Sequence, residues 1–363
     1  MSFCLNKLVI QMERELSHKM LRDMLRARAF EERAAEEYSK GNFAGFLHLY
    51  PGEEAVAVGV IHAAEPADYI VTTYREHVHA LVRGTPSKFI MAELFGRKDG
   101  ICKGMGGSMH LFDAERRFMG GYAIVGETYP IAIGVGYAIS LRNLPEAVIC
   151  FFGDGAVNQG TFHESLNMAA LWRLPILFVC ENNHYQIGTE IHRHSAVTDI
   201  YKRASAYNIP SEKINGMDVL AVYTTTQRLL KQIRSGGGPY FLELETYRFR
   251  GHSMADPGSY RPAVEVHSFT SQDPISIAIR EVKFQYPTAD QIATAGPDCI
   301  ELLSEQAQQT GQLVKNDIEL MKQDINREID EAVNFAMQSP QPTMDDCLDC
   351  LQVNQRGETL IQE

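Results

Sequence analysis

Short apolar runs closed by turn residues alternate with stretches of helical rhythm along most of this chain. Ala147-Val148-Ile149-Cys150-Phe151-Phe152 stops at Gly153-Asp154-Gly155-Ala156, and Pro175-Ile176-Leu177-Phe178-Val179-Cys180 stops at Glu181-Asn182-Asn183. Rich in β-branched and aromatic residues, each run predicts a strand buried on both faces. Between them, Phe162, Leu166, Met168, Ala169 and Leu171 recur at mostly helical spacing over Asn158 to Trp172, with Pro175 beyond the end. The unit reads strand, helix, strand. Such crossovers are right-handed and join parallel strands, so Asp154 and Asn183 are expected together at the carboxyl edge of the sheet, where open α/β folds bind ligands.

The same alternation extends from Gly45 to about Tyr260, with further strands expected at Tyr69 to Thr73 and Tyr240 to Leu244. This predicts an α/β protein built on a doubly wound, mostly parallel sheet. Met12 to Lys40 carries an amphipathic helical pattern (Leu16, Met20, Met24, Leu25, Ala29, Phe30, Ala34) ended by Gly41-Asn42. After Asp273-Pro274 the chain turns helical and charged. A helical arm over 1–44, an α/β domain over 45–265 and a helical region over 266–363 follow, with a polar stretch at 285–312 expected as an exposed insertion. The longest apolar stretch, Pro130 to Leu141, is too short and glycine-rich to span a bilayer. Its glycines suit a helix packed closely on a neighbour.

Composition narrows the partners. With 363 residues, 45% hydrophobic, the chain can bury a large core, and a formal charge of −12 argues against nucleic acid or an anionic membrane. Met1 to Gln11 holds one lysine and is soon followed by Glu13 and Glu15, unlike a secretory signal or an arginine-rich transit peptide, so a cytoplasmic protein is expected. The seven cysteines are scattered, two of them (Cys150, Cys180) inside expected strands, which suits reduced core thiols. The single Cys347/Cys350 pair, with no second pair, reads as an incidental surface feature.

Chemistry enters at the two strand tips. Magnesium wants hard oxygen donors and commonly binds through one or two protein oxygens plus phosphates. Asp154, the Asn183 amide and the Tyr185 carbonyl offer such a set, and Gly153 and Gly155 let backbone approach a diphosphate near the following helix start. The plainer reading is a helix cap at Asp154 and a turn at Asn182-Asn183. Each motif alone favours it; the two together in this strand context favour the metal site.

At this point the chain resembles a known family. Gly153 through Gln159-Gly160, Asn167-Met168-Ala169-Ala170-Leu171-Trp172 and Asn183 look like the thiamin-diphosphate signature of the alpha subunits of 2-oxo acid dehydrogenase complexes, most closely the pyruvate and acetoin types. Further landmarks are Gly45-Phe46-Leu47-His48, Thr73-Tyr74-Arg75-Glu76-His77, Lys103 to His110 and Gly251-His252-Ser253-Met254-Ala255-Asp256-Pro257-Gly258. The resemblance implies thiamin diphosphate and magnesium as cofactors, with Asp154, Asn183 and Tyr185 on the metal. It also implies cofactor contacts at Tyr74, Arg75, Ile124, Val125, Gly153, Asp154, Gly155, Ala156, Asn183, Tyr185 and His252. His48 and His252 are implied as catalytic groups; His77, His79 and His110 receive no role.

The implied reaction is oxidative decarboxylation of a 2-oxo acid, with acyl transfer to a lipoyl group on a separate acyltransferase subunit. One diphosphate motif in a chain of this length implies a beta subunit that completes the site in a two-alpha, two-beta assembly. Tyr74 before Arg75 favours pyruvate over acetoin, and both loops favour either over a branched-chain oxo acid. Ser253 and Ser259 match loop serines phosphorylated in eukaryotic relatives, with no such regulation expected here. Two rivals are a nicotinamide-dependent dehydrogenase, suggested by Gly134-Val135-Gly136 and the loop near Gly120, and a non-catalytic scaffold subunit. No GxGxxG follows an early strand, which the first requires. Intact Asp154, Asn183, Arg75, His48 and His252 weigh against the second.

Overall fold

The computed structural model describes residues 2–284 and 297–351, with side chains described over 15–281 and 315–348. Its centre is a six-stranded, wholly parallel sheet made of β1 (Tyr69–Thr73), β2 (Phe118–Tyr122), β3 (Val148–Gly153), β4 (Ile176–Asn182), β7 (Ser211–Asn215) and β8 (Tyr240–Glu245). The strand order is β2-β1-β3-β4-β8-β7. A two-stranded antiparallel hairpin, β5 (Tyr185–Gln186) and β6 (Thr189–Glu190), stands apart from it. The expected strands are present with their ends shifted by a residue or two. The edge strands β2 and β7 were not foreseen: β2 contains Gly120-Gly121, and β7 is polar and half-buried.

Successive side chains of a strand point to opposite faces, and the two faces belong to two cores. Ile149, Phe151, Leu177, Val179, Leu242 and Leu244 pack beneath α1 (Ser2–Ser39), α2 (Glu54–Ala63), α3 (His77–Arg83), α4 (Ser87–Leu94) and α8 (Val219–Gln232). Val148, Cys150, Phe152, Ile176, Phe178 and Phe241 pack beneath α5 (Thr128–Arg142) and α6 (Gly160–Trp172). Coverage on both sides explains why these strands read as continuous apolar runs.

Two glycines hold helices close. A side chain begun at Gly136 of α5 would meet Ile176 at 2.9 Å, and one begun at Gly59 of α2 would meet Val222 at 2.7 Å. The close packing expected of the glycines between Pro130 and Leu141 is therefore real at Gly136, whereas Gly134 faces open space.

The amino-terminal helix starts at Ser2, well before Met12, and ends at Ser39 ahead of Gly41, whose φ of +81° stops it. Met20, Leu21, Met24, Phe30 and Ala34 are fully buried, and Ile325, Ile329 and Ala336 of α11 (Pro297–Gln338) join the same core. Arg26 pairs with Glu328 of that helix at 2.6 Å, while Arg28 links Glu54 on α2 to Asp273 before α10 (Pro274–Phe284). Of the stretch expected as an insertion, 285–296 lies outside the described residues, and α11 begins at Pro297.

One expectation near the site needs correction. The helix expected from Asn158 starts at Gly160, because Gln159 is extended (φ −77°, ψ 144°), and a 3-10 turn, Asp154–Asn158, precedes it. The N–H groups nearest the strand tip therefore belong to that turn and not to α6.

Candidate active site

Register sets the site. Gly153 of β3 lies opposite Glu181 of β4, so Asp154 and Asn183 leave adjacent parallel strands at one edge of the sheet. A cavity of about 330 Å³ opens there, walled by Gly153, Asp154, Gly155, Ala156, Asn183 and Tyr185. The turn after β1 adds Tyr74 and Arg75, and the segment between β2 and α5 adds Ile124 and Val125. His48 arrives from the loop before α2 and His252 from the loop after β8. All of the candidate positions read from the sequence thus share one cavity, although they come from distant parts of the chain.

Asp154 is 2% exposed and accepts no backbone N–H in a cap; its Oδ2 lies 3.1 Å from Nε2 of His194. Asn183 donates its amide N–H to Glu53 at 3.0 Å, which leaves Oδ1 as the outward-facing oxygen, with only a 3.4 Å contact from the Tyr185 N–H. Asn182 does make the turn of the plainer reading, accepting from the His184 N–H at 3.1 Å.

Glu53 is buried, its Oε2 has no hydrogen-bond partner among the described residues, and Arg75 Nε stands 3.9 Å away. Burial pushes its carboxyl up to about 7 against the opposing pull of Arg75, with Glu181 adding to the rise. Glu181, also in the wall, accepts hydrogen bonds from the Tyr50 hydroxyl at 2.5 Å and lies 3.2 Å from His79.

Tyr74, His48 and His252 form an aromatic cluster, with the His48 ring 4.6 Å from Tyr74 and 5.0 Å from His252. Burial, reinforced by the nearby Arg75, lowers His48 to about 2 and His252 to about 3. Both imidazoles are therefore neutral at working pH, and Nδ1 of each is buried without a partner among the described residues. Arg75 donates to the His252 carbonyl at 2.9 Å, and Asp256 accepts from the N–H groups of His252 (2.6 Å) and Gly258 (2.8 Å) and from the Tyr260 hydroxyl (2.7 Å). The loop expected to close at Pro257-Gly258 is thus pinned by one carboxylate. Ser259 on it is exposed and Ser253 half-buried. His77 sits between Glu31 and Ser108, and His110 lies 3.1 Å from the Gly121 carbonyl; neither lines the cavity, nor does His79.

The donor set fits a magnesium diphosphate. One carboxylate, one amide oxygen and one carbonyl are the hard ligands such an ion uses alongside phosphate oxygens. Arg75 and Arg248 supply positive charge in the wall, nothing lies within 4 Å of where a side chain at Gly153 would begin, and the unpartnered atoms of Glu53, His48 and His252 surround the same space. Among the described residues no cluster of three or more His, Cys, Asp or Glu is placed to hold a metal ion.

Sequence reasoning missed Glu53, Glu181, Arg248 and His194. Glu181 announced itself weakly, as an acid ending an apolar run. Arg248 carries no local signal, yet its fully buried guanidinium donates to the Ile187 carbonyl at 3.3 Å and to the Tyr260 hydroxyl at 3.2 Å.

The family described as "Dehydrogenase E1 component" matches residues 22–290. The chain belongs to the dehydrogenase E1 component family. Its similar relatives include "Pyruvate dehydrogenase E1 component subunit alpha" of Porphyra purpurea, 42% identical over 337 residues that cover 90% of this chain and 91% of that one. The protein of the same name from Rhizobium meliloti (strain 1021) is 41% identical over 301 residues, covering 82% and 86%. That from Zymomonas mobilis is 41% identical over 332 residues, covering 91% and 86%. The glycines that suggested a dinucleotide fingerprint lie elsewhere in the fold: Gly120 inside β2 and Gly134 and Gly136 inside α5, none of them at a strand-to-helix turn. Among the described residues no helix is long and apolar enough to cross a membrane.

Proposed function

We propose that this chain is the alpha subunit of a thiamin-diphosphate- and magnesium-dependent pyruvate dehydrogenase, which decarboxylates pyruvate oxidatively and passes the acyl group to a lipoyl arm. The observation that carries the reading is the convergence of Asp154 and Asn183 on a cavity also walled by Arg75, His48 and His252, in a chain 42% identical to a protein named as that subunit. When bound, thiamin diphosphate supplies the carbanion chemistry that decarboxylation needs.

The residues of this chain divide the remaining work. Asp154, Asn183 and the Tyr185 carbonyl hold magnesium; Gly153 leaves room for the diphosphate, Gly155, packed against Gln186, and Ala156 line the same wall, and Tyr74 and Arg75 face it. His252 and His48, neutral beside Arg75, accept or donate hydrogen bonds near the reacting end without adding positive charge. Ile124 (70% exposed) and Val125 (42% exposed) offer apolar contact at the cavity mouth.

A beta subunit completing a two-alpha, two-beta assembly is part of the reading. Its support is an apolar surface on α5 and α6, where Leu141 and Leu171 are 71% and 72% exposed and Tyr137 packs its ring 5.4 Å from Trp172. A lipoylated acyltransferase is the expected acceptor. The free thiols of Cys102, Cys150, Cys180 and Cys347 suit the reducing cytoplasm.

The test is decarboxylation by the alpha chain co-expressed with a candidate beta chain, comparing pyruvate, acetoin and a branched 2-oxo acid. Pyruvate is expected to give the highest kcat/KM. Preference for either of the others overturns the substrate assignment, and cofactor-independent turnover overturns the class.

A further inference from the structure

We propose that His194 is a positioning residue that presets Asp154 to receive magnesium, an inference that rests on the metal site described above. His194 ends α7 (Ile191–His194), a single turn that follows the β5–β6 hairpin. That turn is anchored: Ile191 is buried in the second core, and its N–H donates to the His184 carbonyl at 2.9 Å. The same short segment therefore carries Asn183, Tyr185 and His194. The His194 side chain is 6% exposed, unlike its neighbour His192, which is 73% exposed and faces away from the site.

The tautomer follows from the partners. On one side Nδ1 faces the Ser195 hydroxyl at 3.0 Å and the Asn158 amide nitrogen at 3.4 Å. Asn158 is itself oriented, because its Oδ1 accepts from Arg203 at 2.8 Å and its amide N–H donates to the His194 carbonyl at 3.1 Å. With the Asn158 amide N–H directed at it, Nδ1 is the acceptor, which places the proton donated to Oδ2 of Asp154, at 3.1 Å, on Nε2.

Three consequences follow for the strand tip. One oxygen of the carboxylate is engaged by a fixed donor, its rotation is stopped, and Oδ1 remains as the single free ligand atom. Partners of metal ligands act in this way, and their loss typically costs ~10–100-fold in metal affinity. Asp154 has no other hydrogen bond to orient it among the described residues.

The experiment is calorimetric titration of magnesium chloride into the metal-free alpha–beta assembly with thiamin diphosphate saturating, alongside thermal melting of the same apo proteins. His194→Ala is expected to raise the magnesium Kd by ~10–100-fold while the apo melting temperature stays near that of the parent. His194→Gln, whose amide N–H replaces Nε2–H, is expected to recover most of the affinity. An unchanged Kd in His194→Ala overturns the inference, as does a loss that Gln does not rescue and that an equal loss of melting temperature accompanies. Asp154→Ala separates the two levels of the claim: if it binds magnesium as the parent does, the metal site itself is wrong, whereas if it alone abolishes binding, only the role of His194 falls. Should His194→Ala fail to assemble, Asn158→Ala frees the ring from its far side and is expected to weaken magnesium in the same direction; undiminished affinity there overturns the proposal.

Discussion

A carboxylate at a strand tip can cap the next helix or bind a ligand, and the hydrogen bonds decide between them. Among the described residues Asp154 caps nothing and hydrogen-bonds only to His194, and it is 2% exposed. Asp154→Ala should therefore abolish magnesium-dependent binding of thiamin diphosphate while the circular dichroism and the melting temperature stay near those of the parent, since a ligand is lost and core packing is not. The two cavity imidazoles make a second expectation, in pH. His48 and His252 titrate near 2 and 3 in the fold against 6.5 in the unfolded chain. Between those values the unfolded chain binds more protons at both rings, so their contribution to stability is level above about pH 6.5 and falls as pH drops through that window, while Glu53, raised from 4.5 to about 7, contributes in the opposite sense between its own two values. Urea melts at pH 4.5, 5.5 and 7.5 measure the slope; His48→Gln should flatten it, and an unaltered slope would remove the ring from the account. Asp154 and Asn183 were legible in the sequence because their motifs are local, and His48 only through the family resemblance. His194 and Glu53 were not, because what defines them is a contact across 40 and 130 positions of chain.

Elements were legible in proportion to their burial. Strands β1, β3, β4 and β8 lie inside the sheet, carry side chains sealed on both faces and so appear as unbroken apolar runs. The edge strands β2 and β7 need no such pattern: two glycines interrupt β2, which mixes buried and half-buried positions, and β7 is half-buried with an exposed end. Helix α5 shows that the same residue type can mean opposite things two positions apart. Gly136→Ala puts a methyl 2.9 Å from Ile176 and should cost about 1 kcal/mol or more through overpacking. Gly134→Ala meets nothing within 4 Å and should stabilise the isolated alpha chain by up to ~1 kcal/mol through helix propensity. Denaturant titration of the pair reads the difference in sign, and equal effects would show that α5 is not held as described.

At the scale of the molecule, the two cores and the buried stripe of α1 are closed within the chain, whereas the α5–α6 surface is not. Leu171→Glu, at a position 72% exposed, should leave the alpha fold intact and shift the sedimentation coefficient of the co-expressed pair from the assembled to the free species. Persistence of the full assembly would send the partner surface elsewhere. The parallel core, its helix layers and the meeting of an acid with an amide at one sheet edge were decided by sequence alone, since strand periodicity, turn residues and crossover handedness all act over a few tens of residues. Tertiary structure decided how the edges are made, how deeply α1 is buried against α11, and which groups stand behind the ligands. Those depend on contacts between segments far apart in the chain, and no local pattern of polar and apolar positions encodes a partner that only folding brings near.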